Sequence, residues 1–118
     1  MEKEQRIDSE MTLVKIIMNV LPEKQKEVFQ TLLSLIEPAD IEPGCLSYGI
    51  FQSIRDKNVF SLVSEWKSRT ALDHHLRSDR FGIFLGIKSL LSEPMTIQIL
   101  TISDSEGIEA VDSARKKG

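Results

Sequence analysis

The spacing of hydrophobic and polar positions changes repeatedly along the chain. Thr12 to Val20 is rich in Val, Ile and Leu and predicts a strand. Both of its faces are largely apolar, with Leu13 and Ile17 on one and Val14, Ile16, Met18 and Val20 on the other. Pro22 suits the first turn of a helix, where its missing N–H costs nothing. Val28, Leu32 and Leu35 then recur with Phe29, Leu33 and Ile36 at helical spacing, until Pro38 and the Glu42-Pro43-Gly44 turn are expected to end the helix. Cys45 to Ile54 reads as a second strand, Arg55-Asp56-Lys57-Asn58 as a polar turn, and Val59 to Lys67 as a third strand completing a hairpin. Ser68 is a good N-cap for a short helix carrying Ala71, Leu72, His75 and Leu76. Ser78 or Asp79 caps another, with Phe81, Phe84, Leu85 and Leu91 at helical spacing and Pro94 closing it, and Met95 to Ile102 is a fourth strand.

The order strand, helix, strand, strand, helices, strand predicts an α+β domain of the ferredoxin-like βαββαβ type, an antiparallel sheet with helices on one face. A first strand that is apolar on both sides leaves the uncovered face in need of a partner, and the simplest is the same face of a second copy. Residues 1–11 and 104–118 are polar and are expected to be flexible tails around a single domain at 12–103, although Ile108 and Val111 would share one side of a short, fraying helix.

Composition narrows the function. The chain of 118 residues has 15 basic and 18 acidic side chains, and the tails hold the imbalance, leaving residues 12–103 neutral. A neutral domain lacks the clustered basic surface that nucleic acid requires. The lone Cys45 excludes an internal disulfide and a paired-cysteine metal site. Neither a secretory leader nor an apolar run of the ~20 residues needed to cross a bilayer is visible, so the expected address is the cytoplasm, with no membrane partner.

Two segments carry a family resemblance. Glu42-Pro43-Gly44-Cys45-Leu46-Ser47-Tyr48 and the stretch from Glu65-Trp66 through Ala71-Leu72 and His75-Leu76 to Ser78-Asp79-Arg80-Phe81 resemble the two signatures of the antibiotic biosynthesis monooxygenase family. The resemblance covers residues 12–103. It implies a dimeric α+β barrel, two sheets face to face, with a pocket in each subunit between sheet and helices. Members of that family include cofactor-independent monooxygenases of quinols and anthrone-like aromatics, haem-degrading enzymes and a branch acting on an autoinducer sugar. Many carry Ser-x-His-Phe where this chain has Ser78-Asp79-Arg80-Phe81, so a second helical histidine is replaced by Arg80. The haem-degrading branch needs a strand asparagine, a helix tryptophan and an iron-ligating helix histidine. Asn19 sits where the first would be, but His75 occupies the tryptophan's place and Phe84 or Leu85 falls where the ligand should be, which argues against haem.

The candidate site follows from chemistry and resemblance together. His75 matches the family's His-Leu histidine and is the candidate acid–base group, although a helix histidine hydrogen-bonded beneath the sheet would look the same. Trp66 offers a stacking face and an indole N–H, or simply core volume. Tyr48 and Asn19 would orient a substrate oxygen, or serve as a core tyrosine and a strand-end cap. Arg80 would clamp an anion, or form a surface ion pair with Asp73 or Asp79. The resulting expectation is a homodimeric monooxygenase of a small aromatic or quinol-like ligand, working with no flavin, metal or other cofactor. Its alternatives are a non-catalytic binding or stress-response module, which an Arg80 blocking the pocket mouth would favour, and an isomerase of a small phosphorylated sugar.

Overall fold

The computed structural model describes residues 10–117. The expected N-terminal arm therefore lies outside the described residues up to position 9. Strands β1 (Met11–Asn19), β2 (Cys45–Gln52), β3 (Val59–Trp66) and β4 (Thr96–Ile102) form one antiparallel sheet in the order β2-β3-β1-β4. After a single 3-10 turn at Pro22–Lys24, helix α1 (Gln25–Asp40) crosses back over the sheet. Helices α2 (Arg69–Leu76) and α3 (Asp79–Leu85) and a 3-10 segment (Gly86–Leu90) connect β3 to β4 on the same side. This is the ferredoxin-like α+β arrangement.

Period-two alternation decides which apolar row of each strand is covered. Val14, Ile16 and Met18 of β1, Phe60, Leu62 and Trp66 of β3 and Tyr48 of β2 are buried against Val28, Leu32, Leu35, Leu72, Phe81 and Phe84 of the helices. The other row, Leu13, Lys15, Ile17 and Asn19 of β1, pairs with Glu65, Val63, Ser61 and Val59 of β3 on the face that no helix covers. Leu100 and Phe51 lie on that face as well, 41% and 57% exposed. Of the two rows of β1 considered for the interface with a second copy, only Leu13 and Ile17 remain available.

Local chemistry accounts for several boundaries. A β-bulge between Cys45 and Ser47 pushes Leu46 out of the ladder and sets Cys45 opposite Trp66 and Ser47 opposite Glu65. Ser68 accepts the Ala71 N–H at 3.1 Å, the expected N-cap of α2. Ser78, rather than Asp79, caps α3 by accepting the Phe81 N–H at 3.2 Å.

Two elements differ from expectation. Pro38 does not end α1, which continues to Asp40; a proline forfeits one helical hydrogen bond, and so near the C-terminus the loss is tolerated. The helix after Ser78 breaks at Leu85 into a 3-10 segment, and Leu91, read as helical, instead bridges Val20. The C-terminal tail contains helix α4 (Ile108–Lys117), with Glu109 in its first turn and Arg115, Lys116 and Lys117 in its last, charges that complement the helix dipole.

Gly44 has φ +85°, and a Cβ built there would meet the Ala71 Cβ at 2.5 Å. Left-handed backbone and a backbone-to-helix approach coincide at this one turn. Gly44→Ala should therefore cost about 2 kcal/mol or more, lowering Tm by roughly 5–10 °C. Gly82→Ala, in helix α3 with nothing within 4 Å of the added methyl, should leave Tm equal or slightly higher. Thermal unfolding of the two variants side by side checks both.

Candidate active site

The turn between α1 and β2 builds the site from below. Cys45 N–H donates to the Glu42 carbonyl at 3.0 Å, and Lys67 N–H donates to the Gly44 carbonyl at 2.9 Å. These bonds and the bare Gly44 seat the turn against Ala71. Residue 75 lies one helical turn beyond Ala71 on the same face of α2, so Glu42 meets His75. The contact is direct: His75 Nδ1 pairs with Glu42 Oε2, and the two side chains are only 6% and 11% exposed.

His75 is further held on every side. The Trp66 ring stacks on it with centroids 4.6 Å apart and planes at 28°. Tyr48 and Phe81 meet it edge-on at 5.8 and 5.4 Å. Ser78 donates its hydroxyl to the His75 carbonyl at 2.6 Å while capping α3, which locks the α2–α3 corner behind the imidazole. The Trp66 indole N–H is spent on Ser64 Oγ at 3.0 Å, both side chains being buried. Leu35, Tyr48, His75, Arg80, Phe81 and Phe84 border a cavity of about 10 Å³, room for a single water.

Tyr48 is the polar hydroxyl of that cavity. Burial first, and then the charges of Glu42 and Cys45, push its phenol well above its ordinary value, so it remains a neutral donor. Arg80 is exposed; its Nη1 donates to the Pro38 carbonyl at 3.4 Å. Asp73, one of its two expected partners, is bound instead by Arg69 at 2.8 Å.

The structure thus brings His75, Tyr48 and Arg80 to one cavity and corrects two placements. Asn19 lies on the opposite, uncovered sheet face, because it shares the parity of Leu13 and Ile17. Its backbone carbonyl accepts from Ser92 N at 2.8 Å and Ser92 Oγ at 3.1 Å. Trp66 does not border the cavity; it lies behind His75, fully buried. Glu42 escaped the sequence reading as a site residue. It was visible only as part of a turn motif, and its partner is 33 residues away. His74, the neighbour of His75, is exposed.

A one-sided ferredoxin-like sheet with a buried acid–imidazole pair at a small aromatic-lined cavity defines the class. The sequence profile described as antibiotic biosynthesis monooxygenase matches residues 11–85, and the chain belongs to that family. It is 33% identical over 88 residues to the uncharacterized protein sll1783 of Synechocystis, a match spanning 74% of this chain and 60% of that protein's length. It is 27% identical over 95 residues to the Bacillus subtilis protein named "Putative monooxygenase YcnE", covering 80% of this chain and all of that one. The crystal structure of a conserved protein from Methanosarcina mazei superposes with TM-score 0.74 at 32% identity, covering 84% of this chain and 97% of that one. Among the described residues, no helix is long and apolar enough to cross a membrane.

Tyr48 is the single tyrosine of the chain, so the phenolate absorbance band reports it alone. With its folded value raised above the unfolded value of about 10, the native state binds the proton more tightly. Stability is unaffected below pH ~10 and falls as pH rises beyond it. The phenolate band should stay absent from the folded protein above pH ~10 and appear together with unfolding. A titration with a midpoint near 10 in protein that remains folded would contradict the buried, neutral assignment.

Proposed function

We propose that the protein is a cytoplasmic, homodimeric, cofactor-independent monooxygenase of a small electron-rich aromatic such as a quinol or anthrone. The observation that carries this reading is the Glu42–His75 pair, whose imidazole borders the aromatic cavity. Glu42 accepts the Nδ1–H of His75 and fixes the tautomer in which Nε2 bears the lone pair. That nitrogen takes an acidic proton from the substrate. The neutral Tyr48 hydroxyl donates to the oxygen on which negative charge then collects.

In the anthrone case the resulting carbanion passes an electron to O₂, and the radical pair combines as a hydroperoxide. Loss of water leaves one oxygen atom in the product carbonyl. The substrate itself supplies the electrons. Trp66 is a positioning residue, holding the imidazole plane from behind. The Leu13–Ile17 face, open on the isolated subunit, is the surface on which a second copy would pack. The small cavity, with Arg80 on its border, favours a second reading, a binding module that performs no chemistry.

Oxygen uptake with a quinol or anthrone substrate tests the proposal. His75→Ala should lower turnover by roughly 10²-fold or more, and Glu42→Gln, which keeps the shape but removes the charge, by about 10-fold or more. Light scattering on the same samples should give about twice the 13.4 kDa chain mass. Uptake unchanged in both folded variants, or absent from the wild type across such substrates, would favour the binding module. A 13.4 kDa particle at micromolar concentration would reject the dimer.

A further inference from the structure

We propose that Arg80 is the door of the buried cavity and selects its ligand, an aromatic ring bearing a single carboxylate or similarly acidic group. The inference rests on the reading above that the ligand is held beside His75. Two spaces meet at this side chain. On the inside is the cavity of about 10 Å³ next to His75 and Tyr48, too small for any ring. On the outside is an open groove of about 490 Å³ formed by Glu37, Pro38, Ile41 and Arg80, large enough for a bicyclic aromatic. Arg80 borders both.

The walls differ in how easily they move. Phe81, Phe84, Leu35 and Tyr48 belong to the buried core, and displacing them would open voids in close-packed surroundings. Arg80 is exposed and, among the described residues, held by one long hydrogen bond, 3.4 Å, to the Pro38 carbonyl, which water can replace. Swinging it outward joins groove and cavity. The guanidinium then stands at the rim of an otherwise apolar passage, as a planar fork suited to a carboxylate. The ring enters toward Tyr48 and Phe81, where edge-on and stacked contacts are available. Glu37, in the same groove, opposes a second acidic group on the ligand. A largely aromatic interior that holds the Tyr48 hydroxyl and the His75 imidazole, with one cation at its mouth and an anion beyond it, therefore fits a monoanionic aromatic. It fits neither a neutral nor a dianionic one as well.

Calorimetric titration without oxygen tests this by comparing 1,4-dihydroxy-2-naphthoate with 1,4-dihydroxynaphthalene, which differ by the carboxylate alone. The wild type should bind the carboxylated quinol at least ~10-fold more tightly. Arg80→Met, which keeps length and apolar cover, should abolish that preference while leaving affinity for the neutral quinol within about 3-fold and Tm within a few degrees. Arg80→Lys should restore part of it. Equal binding of the two quinols by the wild type, binding of neither, or a preference that survives in Arg80→Met would overturn the proposal. Admitting oxygen to the same samples reads the reaction separately. A preserved preference without oxygen uptake leaves the door standing and removes the monooxygenase, whereas uptake without a preference does the reverse.

Discussion

The pairing of Glu42 with His75 is the contact around which the helix-covered side of the molecule is arranged. It joins the turn after α1 to the middle of α2, 33 residues on, with little solvent on either side chain. Removing His75 would leave the Glu42 carboxylate short of a hydrogen bond, at a cost of about 1.5–3 kcal/mol, so each end constrains its own surroundings. At the Glu42 end, Gly44 must have no side chain, because the turn lies against Ala71. At the His75 end, Trp66 supplies a stacking plane and discharges its own N–H on Ser64, and Ser78 ties the helix corner to the His75 carbonyl. Among the described residues no fully buried side-chain nitrogen or oxygen lacks a partner.

The same sheet presents two unlike faces. Toward the helices it carries Val14, Ile16, Met18, Leu62 and Trp66, packed and dry. Away from them it carries Leu13, Ile17 and Val63 around Lys15 and Glu65, with Ser47 donating to Glu65 at 2.6 Å. The proposed site lies wholly on the helix side. Contacts made on the open face therefore reach His75 only through the strands, where Trp66 on β3 and Tyr48 on β2 meet the imidazole.

The legibility of the sequence followed from how local each signal was. Strand propensity, helical spacing and the Ser68 and Ser78 caps are short-range, and they placed the four strands and the helices within a residue or two, apart from the break at Leu85. His75 was legible because its motif is contiguous. Asn19 faces away from the pocket that the family resemblance implies for it; its parity with Leu13 and Ile17 carries that placement. Glu42 was missed because a carboxylate in a turn says nothing of a partner on a distant helix. For Trp66 the sequence leaves ligand contact and core volume both open, because no local feature reveals that Ser64, two positions back on the same strand face, consumes its N–H.

The central claim is that Glu42 fixes His75 with the proton on Nδ1, leaving Nε2 as the proton acceptor. Nitrogen-15 NMR of histidine-labelled protein reads this directly, with His74→Gln separating the chain's two histidines. The Nδ1–H should show a hydrogen bond to the carboxylate in the wild type, and Glu42→Gln should shift the imidazole away from that tautomer. A His75 that carries its proton on Nε2 in the wild type, unaffected by Glu42→Gln, would contradict it.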